Sequence, residues 1–157
     1  MAGCQRKLVS SFFDRLDTRL KRKLKGFEFY RNGRFFVDAY PGYYFWKPAW
    51  KQYNLALQCH EYGERMLFGV EREKQRVGKE SFSEELLDAV RKVQPSARMN
   101  AWWAVRITMS VPAPDWRKSE VLWQMNKDAK FLDSVAEQVL EMAMISLPIV
   151  NRLERKK

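Results

Sequence analysis

Cysteine and histidine are scarce in this chain of 157 residues, which has only Cys4, Cys59 and a single histidine, His60. Two cysteines this far apart form neither a disulfide framework nor the closely spaced pairs of a zinc site, so we expect a protein of the reducing cytoplasm. One histidine excludes a metal site with two histidine ligands and acid–base catalysis by a histidine pair. The sequence therefore predicts no metal, no cofactor and no disulfide.

Long hydrophobic runs are also missing. The most apolar stretch, near 139–150, is interrupted by Glu141, Ser146 and Pro148, whereas a membrane-spanning helix needs about 20 apolar residues. We expect a packed helix here and no transmembrane segment. The N-terminus lacks the apolar centre of a secretory signal, and no glycine-rich phosphate loop or nucleophile elbow is present in the sequence.

Positive charge, by contrast, is abundant and unevenly distributed. The formal net charge is +10, and residues 1–50 contain 11 Lys and Arg against 4 Asp and Glu. The segment 5–25 holds eight basic residues and two aspartates, which gives +6 from about an eighth of the sequence. Such a charge favours a polyanionic partner, which is nucleic acid, an anionic membrane surface or an acidic protein.

The pattern of apolar residues predicts one α+β domain over residues 1–157. Hydrophobic residues make up 46% of the chain and aromatic residues 14%, enough for one complete core at this length. Alternation predicts a mostly antiparallel sheet of about five strands with helices packed on one face, in the order α-β-β-β-β-α-β-α-α. The predicted strands are 27–31, 34–40, 52–60, 66–73 and 103–111, and the predicted helices are 5–25, 81–94, about 115–123 and about 127–147. Asn32-Gly33 is expected to form the tight turn of the first hairpin.

The predicted first helix carries the sharpest candidate site. Arg15, Arg19 and Arg22 lie at i, i+4 and i+7, so they align along one ridge, and Lys25 follows at the end of the helix. Like charges at these spacings repel one another, and a phosphate backbone would convert that repulsion into attraction. The alternative is an ordinary solvated helix face, neutralised by acidic residues from elsewhere.

An aromatic block with interleaved lysines is the second candidate site. Residues 43–46 are all aromatic, and Trp50 follows between Lys47 and Lys51. These residue types stack bases and hold phosphates in single-stranded nucleic-acid recognition. Aromatic rings are also common core fillers, so packing is the competing interpretation. Arg106, on the more polar face of the predicted fifth strand, would add a further cation to a contact surface.

Catalytic groups are poorly represented. His60 lies in an alternating segment and is expected to be an ordinary sheet histidine. Glu71 and Glu73 share a strand face and could bind a divalent cation, although no third ligand is evident and a salt-bridged surface is the competing interpretation. We therefore predict no catalytic residue, and an enzyme is the third hypothesis after two non-catalytic ones.

Three short segments together resemble a known family. They are Trp46-Lys47-Pro48-Ala49-Trp50, the strand Tyr53–Gln58, and Leu67-Phe68-Gly69-Val70. About 25 residues are similar to an accessory sheet region of bacterial and phage proteins associated with PD-(D/E)XK nucleases. The nuclease signature of an acidic residue followed by a strand with Glu-x-Lys is absent, because Asp38 lies on a predicted strand but the next strand has Gln58-Cys59-His60. The resemblance implies a phage- or defence-associated protein and carries over no catalytic residue.

These features predict a non-catalytic basic module that binds nucleic acid through phosphate contacts from the N-terminal helix. The predicted contact residues are Arg15, Arg19, Arg22, Lys25, Lys47, Trp50, Lys51 and Arg106. The alternative is a protein–protein interaction module, either an accessory subunit or a phage-borne inhibitor, that binds an acidic partner surface. The choice of DNA or RNA and the oligomeric state are left open.

Overall fold

The computed structural model describes residues 2–35, 37–74 and 81–155, and for residues 2 and 81–83 the backbone alone. Four α-helices and five strands lie within these residues. In chain order they are α1 (Ala2–Lys23), β1 (Glu28–Asn32), β2 (Gly42–Trp46), β3 (Tyr53–His60), β4 (Arg65–Arg72), α2 (Ser81–Arg91), β5 (Trp103–Thr108), α3 (Ser119–Lys127) and α4 (Ala129–Arg155). This is the predicted element order, so the α+β class is confirmed.

The five strands form one antiparallel sheet in which they lie in sequence order, from β1 at one edge to β5 at the other. Loops without a long helix join strands β1 to β4 in turn, and α2 lies in the longer connection between β4 and β5. Because side chains alternate along each strand, paired residues of neighbouring strands point to the same side of the sheet. The register therefore decides which side chains share a face.

One face of the sheet is covered by the helices. Helix α1 contributes Phe12, Leu16 and Leu20, which are completely buried, as the predicted apolar stripe requires. They join strand side chains such as Leu55 and Val105 in one large apolar cluster. The buried apolar helical side chains that the structure describes all belong to this cluster, which places the helices on one side of the sheet.

The opposite face has no helix over it in the described part of the chain, and we call it the open face. A small apolar cluster on it consists of Ala56, Leu67 and Trp103, with Tyr44 packed against them. Tyr30 lies on the same side and is 57% exposed. Antiparallel sheets commonly have one covered face and one face towards solvent.

The predicted first hairpin is wrong. Strand β1 pairs with β2, and residues 34, 35 and 37–40 of the predicted second strand lie in the connection between them. Phe29 of β1 stacks on Phe45 of β2 with ring centroids 5.8 Å apart, against the covered face. Cross-strand aromatic pairing and burial of this kind outweigh the local turn signal of Asn32-Gly33.

The connection between β1 and β2 is organised by Arg34 and Asp38. The Asp38 carboxylate accepts the backbone N–H of Arg34 at 2.7 Å and its guanidinium at 3.0 Å. These hydrogen bonds hold the pKa of Asp38 below its usual value. Asp38 therefore lies in a turn and not on the strand that alternation predicts.

Strand β5 is shorter than predicted and its pairing contains a bulge. The register of β4 and β5 shifts between Val70 and Glu71, so that Glu71 faces Trp103. Simple alternation predicts Trp103 and Val105 on one side of the sheet. That expectation is wrong, because the bulge turns Trp103 onto the open face while Val105 stays in the large cluster.

The last two helices depart from their predicted limits. Helix α3 begins at Ser119, after a turn in which the Asp115 carboxylate accepts a backbone N–H. Helix α4 continues through Pro148. The proline removes one helical hydrogen bond, but burial of Val150 and Leu153 beyond it stabilises the continued helix. Among the described residues, no helix is both long enough and apolar enough to cross a membrane.

Candidate nucleic-acid interface

The three arginines predicted on α1, here called the arginine ridge, lie together along the side of the helix next to α3 and α4. Arg15 donates to the main-chain carbonyl of Met125 at the end of α3. Arg19 forms an ion pair with Asp133 of α4. Arg22 has no ion-pair partner among the described residues. Two of the three guanidiniums therefore already join α1 to other helices, and phosphate contacts would have to compete with those bonds.

Lys25 and Lys47 meet at the end of α1. The Lys47 ammonium donates to the Lys25 carbonyl at 3.2 Å and lies 4.9 Å from the centre of the Phe27 ring. This contact combines a hydrogen bond with a cation–π interaction. Lys47 is thus largely engaged locally, whereas the Lys25 side chain is exposed.

Trp50 and Lys51 have different environments although they are adjacent. Trp50 is only 5% exposed, and its indole N–H donates to Asn151 of α4 at 2.7 Å. This contact leaves little of its ring for stacking on a base. Lys51 is exposed and its ammonium donates to the carbonyl of Pro48 at 3.3 Å.

Arg106 lies on the open face, away from the arginine ridge. Its strand neighbours Val105 and Ile107 belong to the large cluster, so alternation directs Arg106 to the opposite side. The arginine ridge, in contrast, contacts α3 and α4 on the helical side. The structure therefore does not bring Arg106 and the ridge into one patch.

A single row of paired residues crosses the open face from edge to edge. Its members are Arg98, Arg106, Gly69, Ala56, Tyr44 and Tyr30. At about 4.8 Å per strand the row is about 24 Å long. Cations stand at one end, small residues occupy the middle and tyrosines stand at the other end.

The cationic end of the row is the Arg98–Arg106 pair. Each backbone N–H donates to the other's carbonyl, at 3.0 Å from Arg98 and at 2.7 Å from Arg106. The two residues are therefore directly opposite and their side chains share the open face. Neither guanidinium has an acidic partner within the described residues. Like charges placed directly opposite are destabilising, and a bound anion would reverse the sign of that interaction.

The aromatic end of the row borders a cleft of about 330 Å³, here called the aromatic cleft. Aromatic rings supply most of its lining. The lining residues are Tyr30, Tyr44, Trp46, Trp50, Lys51, Tyr53, Asn54 and Glu73. The volume lies at the lower end of the range for small-ligand sites, which begins at about 300 Å³.

A polar chain on the open face holds the only histidine. The Tyr44 hydroxyl accepts from the Gln58 side chain at 2.9 Å, and Gln58 in turn bonds His60 at 2.7 Å. Burial, Arg65 and Arg106 lower the pKa of His60. A lowered pKa favours the neutral ring. Within the described residues no group of three acidic, cysteine or histidine side chains could hold a metal ion.

Glu71 is a half-buried carboxyl on the open face, beside Asn54 and Trp103. Burial raises its pKa from 4.5 to about 7, and a hydrogen bond from Asn54 opposes that rise. The folded protein therefore disfavours the charged form. Stability falls as the pH rises from about 4.5 through 7, because unfolding then allows Glu71 to ionise.

We expect Glu71→Gln to remove this loss. The difference in free energy of unfolding between the variant and the original protein should increase by about 2 kcal/mol from about pH 4 to about pH 8. This figure comes from about 1.4 kcal/mol per pKa unit, less a discount for solvent screening. Urea denaturation at both pH values measures the gain. Glu28→Gln, an exposed change on β1, should show no such difference. An equal effect of Glu71→Gln at the two pH values would contradict the assignment.

Arg98 and Tyr30 are contact candidates that the sequence prediction omits, and Tyr44 belongs to the predicted aromatic block but not to the predicted contact residues. For the tyrosines a sequence signal exists, because Tyr30 alternates with the partly buried Phe29 and Tyr44 alternates with the buried Phe45. Arg98 has no such signal. It lies in an irregular segment, and only the folded backbone shows that it pairs with Arg106.

Comparison of the chain with known protein families, with curated proteins and with solved structures found no match.

Proposed function

We propose that this protein is a nucleic-acid-binding module that holds a single strand across the open face of its sheet. The observation that carries the proposal is the Arg98–Arg106 pair, two guanidiniums directly opposite each other with no acidic partner in the described part of the chain. A phosphate group would accept hydrogen bonds from both and remove their mutual repulsion. The net charge of +10 favours the same class of ligand over long range.

The aromatic end of the open face favours a single strand over a duplex. Tyr30 is exposed and the half-buried Tyr44 lies next to it in the register. Unstacked bases can stack on such rings, whereas the bases of a double helix are already stacked on one another. Phosphate contacts at one end of the row and base contacts at the other suit a strand that runs across the sheet.

The arginine ridge on α1 is the weaker of the two candidate surfaces. Arg15 and Arg19 hold α3 and α4 in place, so their removal would alter helix packing as well as charge. We therefore place the principal contact on the open face, and we retain Arg106 and Lys51 from the predicted contact residues. Arg22 and Lys25 contribute long-range attraction from the helical side.

The test is the double variant Arg98→Ala/Arg106→Ala, with a fluorescently labelled single-stranded oligonucleotide of about 12 nucleotides, prepared as DNA and as RNA. Fluorescence anisotropy should show a Kd raised about tenfold or more. The slope of log K against log salt should become shallower by about 0.7, because the two arginines together neutralise one phosphate and each neutralised phosphate of a single strand contributes about 0.7. The variant should remain folded, since it removes a repulsion between like charges.

Arg22→Ala/Lys23→Ala is the matched control, because it removes the same charge from exposed positions of α1. It should change the Kd by less than about threefold. Equal losses in the two double variants would overturn the assignment to the open face. Absence of any salt-dependent binding by the original protein would overturn nucleic-acid binding itself, and an acidic protein partner would then be the remaining hypothesis.

A further inference from the structure

The aromatic cleft is lined by charged and polar side chains as well as by rings on which a base could stack. Tyr30 and Trp46 offer ring surface at its edge, and the Lys51 ammonium lies beside them. Aromatic side chains next to a single lysine could bind one nucleotide, with the base stacked on the rings and a phosphate near the ammonium. The cleft volume of about 330 Å³ limits the ligand to a small group.

Glu73 and Asn54 supply hydrogen-bond acceptors to the cleft. Glu73 contributes a carboxylate, and its backbone N–H donates to the Gln52 carbonyl at 2.8 Å, which fixes the residue beside β3. The Asn54 side-chain N–H donates a hydrogen bond to Glu71, and the Asn54 side-chain oxygen takes no part in that bond. That buried oxygen accepts no hydrogen bond within the described residues. The Glu73 carboxylate is therefore the acceptor that a ligand in the cleft can reach, because Glu73 is exposed.

From the aromatic lining and the Glu73 carboxylate we infer that the aromatic cleft binds one unstacked base of a single strand and selects guanine, an inference that rests on the proposed function. Guanine presents two adjacent donors, N1–H and the N2 amino group, which match the two oxygens of the Glu73 carboxylate. Thymine and uracil present N3–H between two carbonyl oxygens, and a carboxylate repels those oxygens. Adenine and cytosine each place a ring acceptor beside their amino donor, so they match one carboxylate oxygen only.

Two oligonucleotides of about 12 nucleotides provide the test, an oligothymidylate and the same strand with one central guanine. Anisotropy titrations should give a Kd about tenfold lower for the guanine strand, the usual effect of one good bidentate contact to a base. In Glu73→Gln the ratio of the two Kd values should fall to near one. The ratio is the readout because removal of a negative charge tightens binding of every strand.

Glu28→Gln is the matched control, since it neutralises an exposed carboxylate of β1 outside the cleft lining. It should preserve the tenfold ratio. Equal binding of both strands by the original protein would overturn guanine selection and leave the proposed function intact. Survival of the ratio in Glu73→Gln would overturn the role of Glu73. Failure of both strands to bind would remove the proposed function as well.

Discussion

Replacement of Trp116 by alanine is expected to lower the free energy of unfolding by about 4 kcal/mol. Trp116 is completely buried and meets Phe12 and Phe131 edge to face, with ring centroids 5.8 Å and 5.4 Å apart. Its indole N–H donates to the carbonyl of Ala113 at 3.0 Å. Truncation removes the apolar contacts, leaves a cavity between α1 and α4 and leaves that carbonyl unpaired, and such changes cost about 3–5 kcal/mol.

Two further variants separate the contributions at this position. Trp116→Phe keeps an aromatic ring but loses the hydrogen bond and part of the volume, so an intermediate loss of about 2 kcal/mol is expected. Trp123→Ala is the control, because Trp123 is 61% exposed and its truncation should cost less than about 0.5 kcal/mol. Urea denaturation measures all three. A loss at Trp116 no larger than that at Trp123 would show that this aromatic cluster does not hold the helices.

The large-scale fold could be predicted because it depends on local patterns. The apolar stripe of α1 and the alternation of β3 each recur over many residues, and both are found as expected. The first hairpin could not be predicted in the same way. Asn32-Gly33 is a strong turn signal, but the pairing of β1 with β2 is decided by contacts across the sheet such as that of Phe29 with Phe45.

The bulge between β4 and β5 illustrates a second limit. One shifted pairing at Glu71 is enough to move Trp103 to the other face of the sheet. A change of register by one residue reverses the direction of a side chain, and nothing in the residue types near Trp103 marks that change. Alternation therefore identifies β5 correctly and misplaces its largest side chain.

The candidate site was hard to predict because charge in sequence does not reveal which charges are already paired. The predicted ridge on α1 is genuine, yet Arg15 bonds a carbonyl 110 residues away in the chain and Arg19 pairs with Asp133. Conversely, Arg98 stands alone in sequence and gains its partner Arg106 through one isolated bridge. Unpaired cations, which attract polyanions most strongly, are a property of the folded chain.

Gly69→Ala is expected to lower the free energy of unfolding by about 3 kcal/mol through a clash within the sheet. An added Cβ would lie 2.1 Å from the carbonyl oxygen of Val105 and 3.0 Å from the Cα of Arg106. Both are backbone atoms of β5, so no side-chain rotation relieves the overlap and the two strands must separate locally. Gly3→Ala is the matched control, because nothing lies within 4 Å of its added Cβ and alanine favours the helix by about 0.5–1 kcal/mol. Urea midpoints should move in opposite directions, and a Gly69→Ala midpoint equal to that of the original protein would contradict the close approach of β4 and β5.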